Sequence, residues 1–415
     1  MRDGTLVTTP NKESSETRFL RIAIVLGLLS AIGPFAIDMY LPALPSIGKD
    51  LTTDPATVQM SLLAFFVTMG LGQIVVGPIS DMIGRKGPMY LGLGLFVLGS
   101  IGSAVAPGIH WLIVFRLIQG FGACPGMVVP RAVVRDLHTG TEAARLMSLL
   151  MLVFSVSPIL APLTGSFVIQ WFGWRAVFWV VTVAALLAAI LLGTSLKETR
   201  PVEHRAGSSF NSALTGYLFL LRERNFLGLT FIGSFGISGF FVYLSSSSFV
   251  LIDHYKLSPS LYSFFFSLNA AAFFAASQLT GMLSERFGLR RLVRVAVTGY
   301  AVMMIALLLI AASRVDRLDV LVSLLFAGNG FLGLVIPATS VLAMEDYGEF
   351  AGTASALMGT LQFATGAICM IVAGIFFDGT PLPMIVGIAI CAVITFVIAQ
   401  VTLSRSRDLA AAPAE

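Results

Sequence analysis

Charge is scarce in this 415-residue chain: Asp, Glu, Lys and Arg together make up 12% of it, about half of the roughly 25% found in ordinary soluble domains. Cysteine is almost absent. Cys124, Cys369 and Cys391 all sit in apolar runs, which excludes a disulfide framework or a zinc site and leaves them as small packing residues. The four histidines, His110, His138, His204 and His254, are scattered over connections and run ends, so neither a metal centre nor a catalytic triad is expected. No GxxxxGK[ST] phosphate loop occurs anywhere in the chain, which argues against ATP as the energy source. Long polar stretches are missing too, leaving no room for a separate soluble domain.

What is present is apolar length. Hydrophobic residues make up 56% of the chain, the mean hydropathy is +0.89, and about 20 apolar residues suffice to cross hydrocarbon. Twelve such spans follow one another, over 19–46, 55–80, 87–106, 109–134, 143–169, 174–196, 225–252, 259–283, 291–312, 319–344, 350–377 and 382–403. The first is too long for a secretory signal and has no small-residue cleavage site, so it reads as a retained helix. The formal charge of +4 is spread over short connections, not gathered into a nucleic-acid surface. With the N-terminus inside, the inner connections hold most of the Lys and Arg, including Arg85, Lys86, Arg131 and Arg135. The outer ones hold only Lys49, Arg175, Lys256, Arg314 and Arg317. Both termini are therefore expected in the cytoplasm.

The longest polar stretch, KETRPVEHRAGSSFNSALTG from Lys197, divides the chain into an N-terminal six-helix bundle (1–196), a cytoplasmic linker (197–224) and a C-terminal six-helix bundle (225–415). A duplication supports this division. Gly77, Asp81 and Gly84 precede Arg85-Lys86 after the second span, and Gly281, Glu285 and Gly288 precede Arg290-Arg291 at the same place in the second half. The expected fold class is an all-α membrane protein with twelve transmembrane helices in two related bundles around a midplane cavity.

Within the spans, ionisable residues stand out because each costs about 2.5–3.5 kcal/mol on insertion scales and marks a functional candidate. Asp38, in GPFAIDMYLPALP, and Arg116, in RLIQGFGA, meet this description. At about 1.5 Å per residue both lie about 10–12 Å from the outer boundary, a depth at which antiparallel neighbours can pair. The pair either exchanges protons or fixes bundle geometry.

These motifs resemble the major facilitator superfamily. GPISDMIGRKG carries its loop signature, RLIQGFGA its fourth-helix motif in proton-coupled members, and SPILAPLTGS a degenerate form of the fifth-helix motif of drug antiporters, with Ala161 and Ser166 in place of glycines. AIDMYLPALP and KETRP are similar to the Bcr/CflA branch of drug:proton antiporters. The resemblance implies the major facilitator fold and alternating access. It also implies proton-coupled export of drugs or small amphipathic metabolites, with a proton-coupled nutrient importer as the alternative. On this reading the chain is not an enzyme. It needs no cofactor beyond the proton gradient and takes a drug-like small molecule and protons as partners. It is expected as a monomer in the bacterial inner membrane.

Site expectations follow. Asp38 and Arg116 couple protons. Asp81, Gly84, Arg85, Arg131 and Arg135 form a cytoplasmic latch between the bundles, and Pro158 and Pro162 either kink the fifth helix or hinge it. Tyr40, Gln119, Phe240, Tyr243, Asn269, Asn329 and Gln362 are the candidates for substrate contact. The aromatics can equally face lipid, and the amides can equally bridge helices. Pro34, Pro42 and Pro45 are expected to bend or end the first helix, and Gly92, Gly94, Gly99 and Gly102 to form a close-packing face.

Overall fold

A computed structural model describes residues 12–205, 209–347 and 351–411. Its described residues contain twelve helices long and apolar enough to cross a membrane. The first span is broken: α1 (Lys12–Asp38) gives way to a 3-10 turn, Leu41–Ala43, and then α2 (Leu44–Asp50). Pro42 and Pro45 occupy the opening turns of these two elements, positions where a missing N–H costs nothing, so the α1 ladder stops at Asp38. Pro34 is accommodated inside α1.

The first half continues with α3 (Pro55–Ile83), α4 (Lys86–Ala104), α5 (Ile109–Leu137), α6 (Gly140–Phe172) and α7 (Arg175–Ser195). There α5 packs on α1, α3 and α4, while α1 also meets α6 and α7. Three of the four α4 glycines make the close face expected of them: a Cβ on Gly99 would stand 2.5 Å from the Gln119 backbone nitrogen, and one on Gly92 2.6 Å from Pro125, whereas Gly94 faces open space. The linker contains a helix that the sequence reading did not identify, α8 (Phe210–Leu220). The second half comprises α9 (Arg224–Ser248, continued by a π-helical turn, Phe249–His254), α10 (Pro259–Phe287), α11 (Leu289–Ala312), α12 (Leu318–Met344), α13 (Ala351–Ile375) and α14 (Pro381–Ala411). Here α9 packs on α12, α13 and α14, and α12 on α10 and α11.

Two helix pairs, α3 with α13 and α6 with α10, join the bundles. The duplicated loops share a backbone device: Gly84 (φ +101°) and Gly288 (φ +79°) both adopt the left-handed region that lets one span end and the next begin at once. Their charges do not repeat. Glu285 has no ion pair to a described residue, whereas Asp81 has two.

Candidate functional site

At the end of the bundles where α1 begins and α14 ends, a cavity of about 410 Å³ opens between α3, α5, α8 and α13. Gln73, Asp81, Arg85, Arg131, Arg135 and Tyr217 supply most of its polar wall. The linker helix closes part of the mouth, with Tyr217 Oη donating to the Ile74 carbonyl at 3.2 Å. Its 3–4 spacing of Ala213, Tyr217 and Leu220 was readable from sequence.

Seven residues deeper along both helices, Phe66 of α3 and Phe363 of α13 meet Phe241 of α9, with ring centroids 4.8 to 5.5 Å apart. This three-ring plug joins both halves about 10 Å past Gln73 and Ala356, the deepest lining residues of the cavity on α3 and α13. No motif announced it, because phenylalanine is common in every span. Beyond the plug the opposite side is shut. Lys49 Nζ pairs with Asp253 at 3.0 Å, the turn after α1 packs on α9 and α10, and Ser263 and Ser267 of α10 donate to the Pro162 and Ile159 carbonyls of α6 at 2.8 and 2.6 Å. Pro158 and Pro162 thus lie in the α6 segment that docks on α10. Gly165, one turn on, has room only for hydrogen because the Met39 carbonyl lies against it.

Asp38 therefore sits at the end of α1, beside this closed junction. It is only 5% exposed and makes no hydrogen bond or ion pair with a described residue. It lies within electrostatic range of the Tyr262 hydroxyl of α10, which is 3.2 Å from Ser247 Oγ of α9. Arg116, expected as its partner at equal depth, turns instead into the N-terminal bundle. Completely buried, it donates from Nη1 to Gln119 Oε1 at 2.7 Å and to the Ala36 carbonyl at 3.4 Å, and from Nε to the Ser61 carbonyl at 3.4 Å. Its guanidinium lies over Phe65 (4.3 Å) and Tyr40 (4.6 Å). Two of the expected substrate contacts are thereby tied to Arg116. Tyr40 Oη shares a 2.6 Å hydrogen bond with Ser61, and Gln119 Nε2 donates to Ser100 at 2.7 Å.

The other five candidates belong to the C-terminal half. Phe240, Tyr243 and Phe266 form a ring cluster in which Tyr243 stacks on Phe266 at 5.6 Å, and the Tyr243 hydroxyl is buried without a partner. Asn329 Nδ2 donates to Asn269 Oδ1 at 3.2 Å, bridging α12 and α10. Gln362 Nε2 stands beside Gly233 of α9. None of the seven lines the open cavity.

The charges read as a latch between bundles are bonded here within the first half and the linker. Arg85 reaches Asp81 at 2.7 Å and Asp136 at 2.8 Å. The Glu198 carboxylate accepts from the Arg85 and Lys86 backbone N–H groups at 2.8 and 3.1 Å, capping α4 from the linker. Burial works against the charge of Arg85, but its hydrogen bond to Asp136 and the pull of both aspartates hold its pKa above the ordinary value. Partial burial also opposes the Glu198 charge, yet the N–H groups of Arg85, Arg200, Lys86 and Thr199 outweigh it and hold the carboxyl below its ordinary range. A side chain at Gly84 is disfavoured by its φ of +101°, and a Cβ there would also push aside the Arg205 and Glu198 side-chain ends. Arg131 is half-buried, with its buried Nε unpartnered, and Arg135 extends towards Gly352 of α13. None of Asp81, Arg85, Arg131 and Arg135 has an ion pair to a described residue of the second half.

Two six-helix bundles, shut on one face and hollow on the other, define a membrane transporter of the alternating-access class. Residues 26–370 match the family model described as Major Facilitator Superfamily, and the chain belongs to that superfamily. It is 38% identical over 367 residues to an uncharacterized MFS-type transporter, YdgK, of Bacillus subtilis, covering 88% of this chain and 91% of that one. It is 30% identical to the bicyclomycin resistance protein homolog of Haemophilus influenzae, over 95% and 98% of the two chains. Multidrug resistance protein D of Escherichia coli is 29% identical over 83% of this chain and 86% of its own. The names of the last two are consistent with the Bcr/CflA branch that the first-span signature resembles. Among solved structures, the partially occluded inward-open xylose transporter XylE of E. coli superposes with a TM-score of 0.69 at 14% identity, covering 92% of this chain and 97% of that one. At that identity the likeness concerns fold.

Proposed function

We propose that this chain exports drug-like amphipathic molecules or small metabolites in exchange for protons. It does so as a monomer in the bacterial inner membrane, with both termini in the cytoplasm, no cofactor and no catalytic reaction. The names of the relatives and the basic inner connections support this reading. The observation that carries it is Asp38: an intramembrane carboxylate with no partner, placed where α1 breaks and where the two bundles close on each other.

A lone charge in that dry junction is costly, so the closed junction and a bound proton go together. With the cavity open to the acidic outside, Asp38 takes a proton and substrate leaves. The neutral side chain then fits the closed junction seen here, opposite Tyr262. Once the proton is lost to the cytoplasm, the charge disfavours that closure, and substrate binding with outward reopening restores the cycle. Each ligand thus favours a different state, as coupling requires. Nutrient import on the same fold is the competing reading, and direction separates the two.

The test uses everted vesicles from a host lacking its main efflux pumps, with radiolabelled chloramphenicol and bicyclomycin as probes. An imposed proton gradient should drive accumulation, its collapse should release the probe, and Asp38→Asn should express but accumulate nothing. Undiminished gradient-driven accumulation in Asp38→Asn would remove Asp38 from the coupling role.

A further inference from the structure

At the closed end of the α3–α13 contact lies a second cavity, of about 170 Å³, separate from the pathway. Its walls are Leu63, Met60 and Ala56 of α3 and Met370, Ile371 and Gly374 of α13, and Gln59 projects among them. Gln59 is only 5% exposed, yet its Oε1 and Nε2 are both without a hydrogen-bond partner. A buried side-chain amide left this way costs about 1–3 kcal/mol per unsatisfied group, so the position calls for a ligand with both an acceptor and a donor. Thr57 is not that partner, since its hydroxyl is bonded to Asp54 at 2.7 Å.

The crevice opens sideways. Met60 (47% exposed), Ile371 (39%) and Ile375 (72%) rim it on the outer wall of the helix bundle, the surface that faces acyl chains. Gln59 stands one turn from the start of α3 at Pro55, about 6 Å in at 1.5 Å per residue. That is the boundary between hydrocarbon and headgroups. An apolar slot at this depth, ending in an amide, matches a phospholipid: one acyl chain along the methionines, an ester carbonyl accepting from Nε2, and a headgroup ammonium or hydroxyl donating to Oε1. Gly374 keeps the slot open, because a Cβ there would stand 3.0 Å from Gln59 Oε1.

We infer that the crevice between α3 and α13 at Gln59 is a binding site for a diacyl phospholipid, which bridges the two bundles on their closed side. Only the choice of leaflet, the outer one, rests on the orientation proposed above. The site is independent of the direction of transport and of the role of Asp38.

The protein is reconstituted in phosphatidylethanolamine and phosphatidylglycerol doped with a phospholipid carrying an acyl-chain diazirine, photolysed, and its labelled peptides are mapped by mass spectrometry. Labelling of the 56–63 and 370–375 segments should exceed that of lipid-exposed Val183 and Leu187 on α7 several-fold. Gly374→Leu fills the slot and should bring it down to the α7 level. Gln59→Leu preserves the volume and removes only the amide, so labelling should fall to about the α7 level, two hydrogen bonds being worth more than about tenfold, even where the Gly374 variant fails to insert. Wild-type labelling no higher than that of α7, or labelling unchanged in Gln59→Leu, overturns the assignment. Displacement by tetraphenylphosphonium also overturns it, by making the slot a substrate site instead.

Discussion

The separation of Asp38 from Arg116 is open to a quantitative check, a double-mutant cycle on Asp38→Asn and Arg116→Met. Methionine keeps most of the arginine volume, so the single change removes charge and hydrogen bonds without emptying the site. It orphans Gln119 Oε1, now bonded at 2.7 Å, at about 1–3 kcal/mol. It also removes cation–π contacts with two desolvated rings, about 2 kcal/mol or more, against relief of several kcal/mol of guanidinium desolvation. The sign of the single variant is therefore a close balance, but the coupling term is not. Were the two charges a buried pair, removing Arg116 would leave an uncompensated carboxylate at about 3–5 kcal/mol, and Asp38→Asn would relieve most of it. In the structure they form no ion pair and share no side-chain partner, so the two changes should add to within about 0.5 kcal/mol. Equilibrium unfolding in mixed SDS micelles, followed by far-UV circular dichroism on all four proteins, measures the term. A coupling above about 1.5 kcal/mol would refute the geometry described here.

Two further expectations concern the two faces. On the terminal side, Glu198→Gln should weaken linker docking by about 1–3 kcal/mol, the worth of a charge-assisted hydrogen bond, read as faster proteolysis or amide exchange over 197–205; exchange equal to wild type at neutral pH would count against the clamp. Because the folded carboxyl is held below its ordinary value of 4.5, the stabilisation is complete above that value and is lost as pH falls through the depressed one, a dependence Glu198→Gln should lack. On the closed side, Lys49→Cys with Asp253→Cys, joined by a bifunctional methanethiosulfonate reagent about as long as the lost lysine stem, should stop transport until reduced, since the native charged groups meet at 3.0 Å across the two halves. Full transport by the crosslinked protein would show that this side need not open.

Much of the fold was legible because hydrocarbon imposes a length on every span. Twelve apolar runs, two halves and a prolyl break in the first helix follow from residue types alone, as do Gly84 and Gly288, whose positive φ excludes most side chains. Asp38 and Arg116 were equally conspicuous, since an ionisable residue in a span is rare whatever surrounds it.

Depth along a helix can be counted from sequence, whereas rotation about its axis is set by packing. Asp38 and Arg116 share a depth, but packing turns one towards α10 and the other onto Gln119, Tyr40 and Phe65. The same limit hid the Phe66–Phe241–Phe363 plug, whose rings come from three spans far apart in sequence. It also hid which charges line the cavity, because Asp81, Arg85, Arg131 and Arg135 share its wall only through the packing of α3 against α5. The sequence by itself determined which groups enter the membrane and how deep. The tertiary structure decided what each one faces, because a helix fixes the rise per residue by its own hydrogen bonds but takes its orientation from its neighbours.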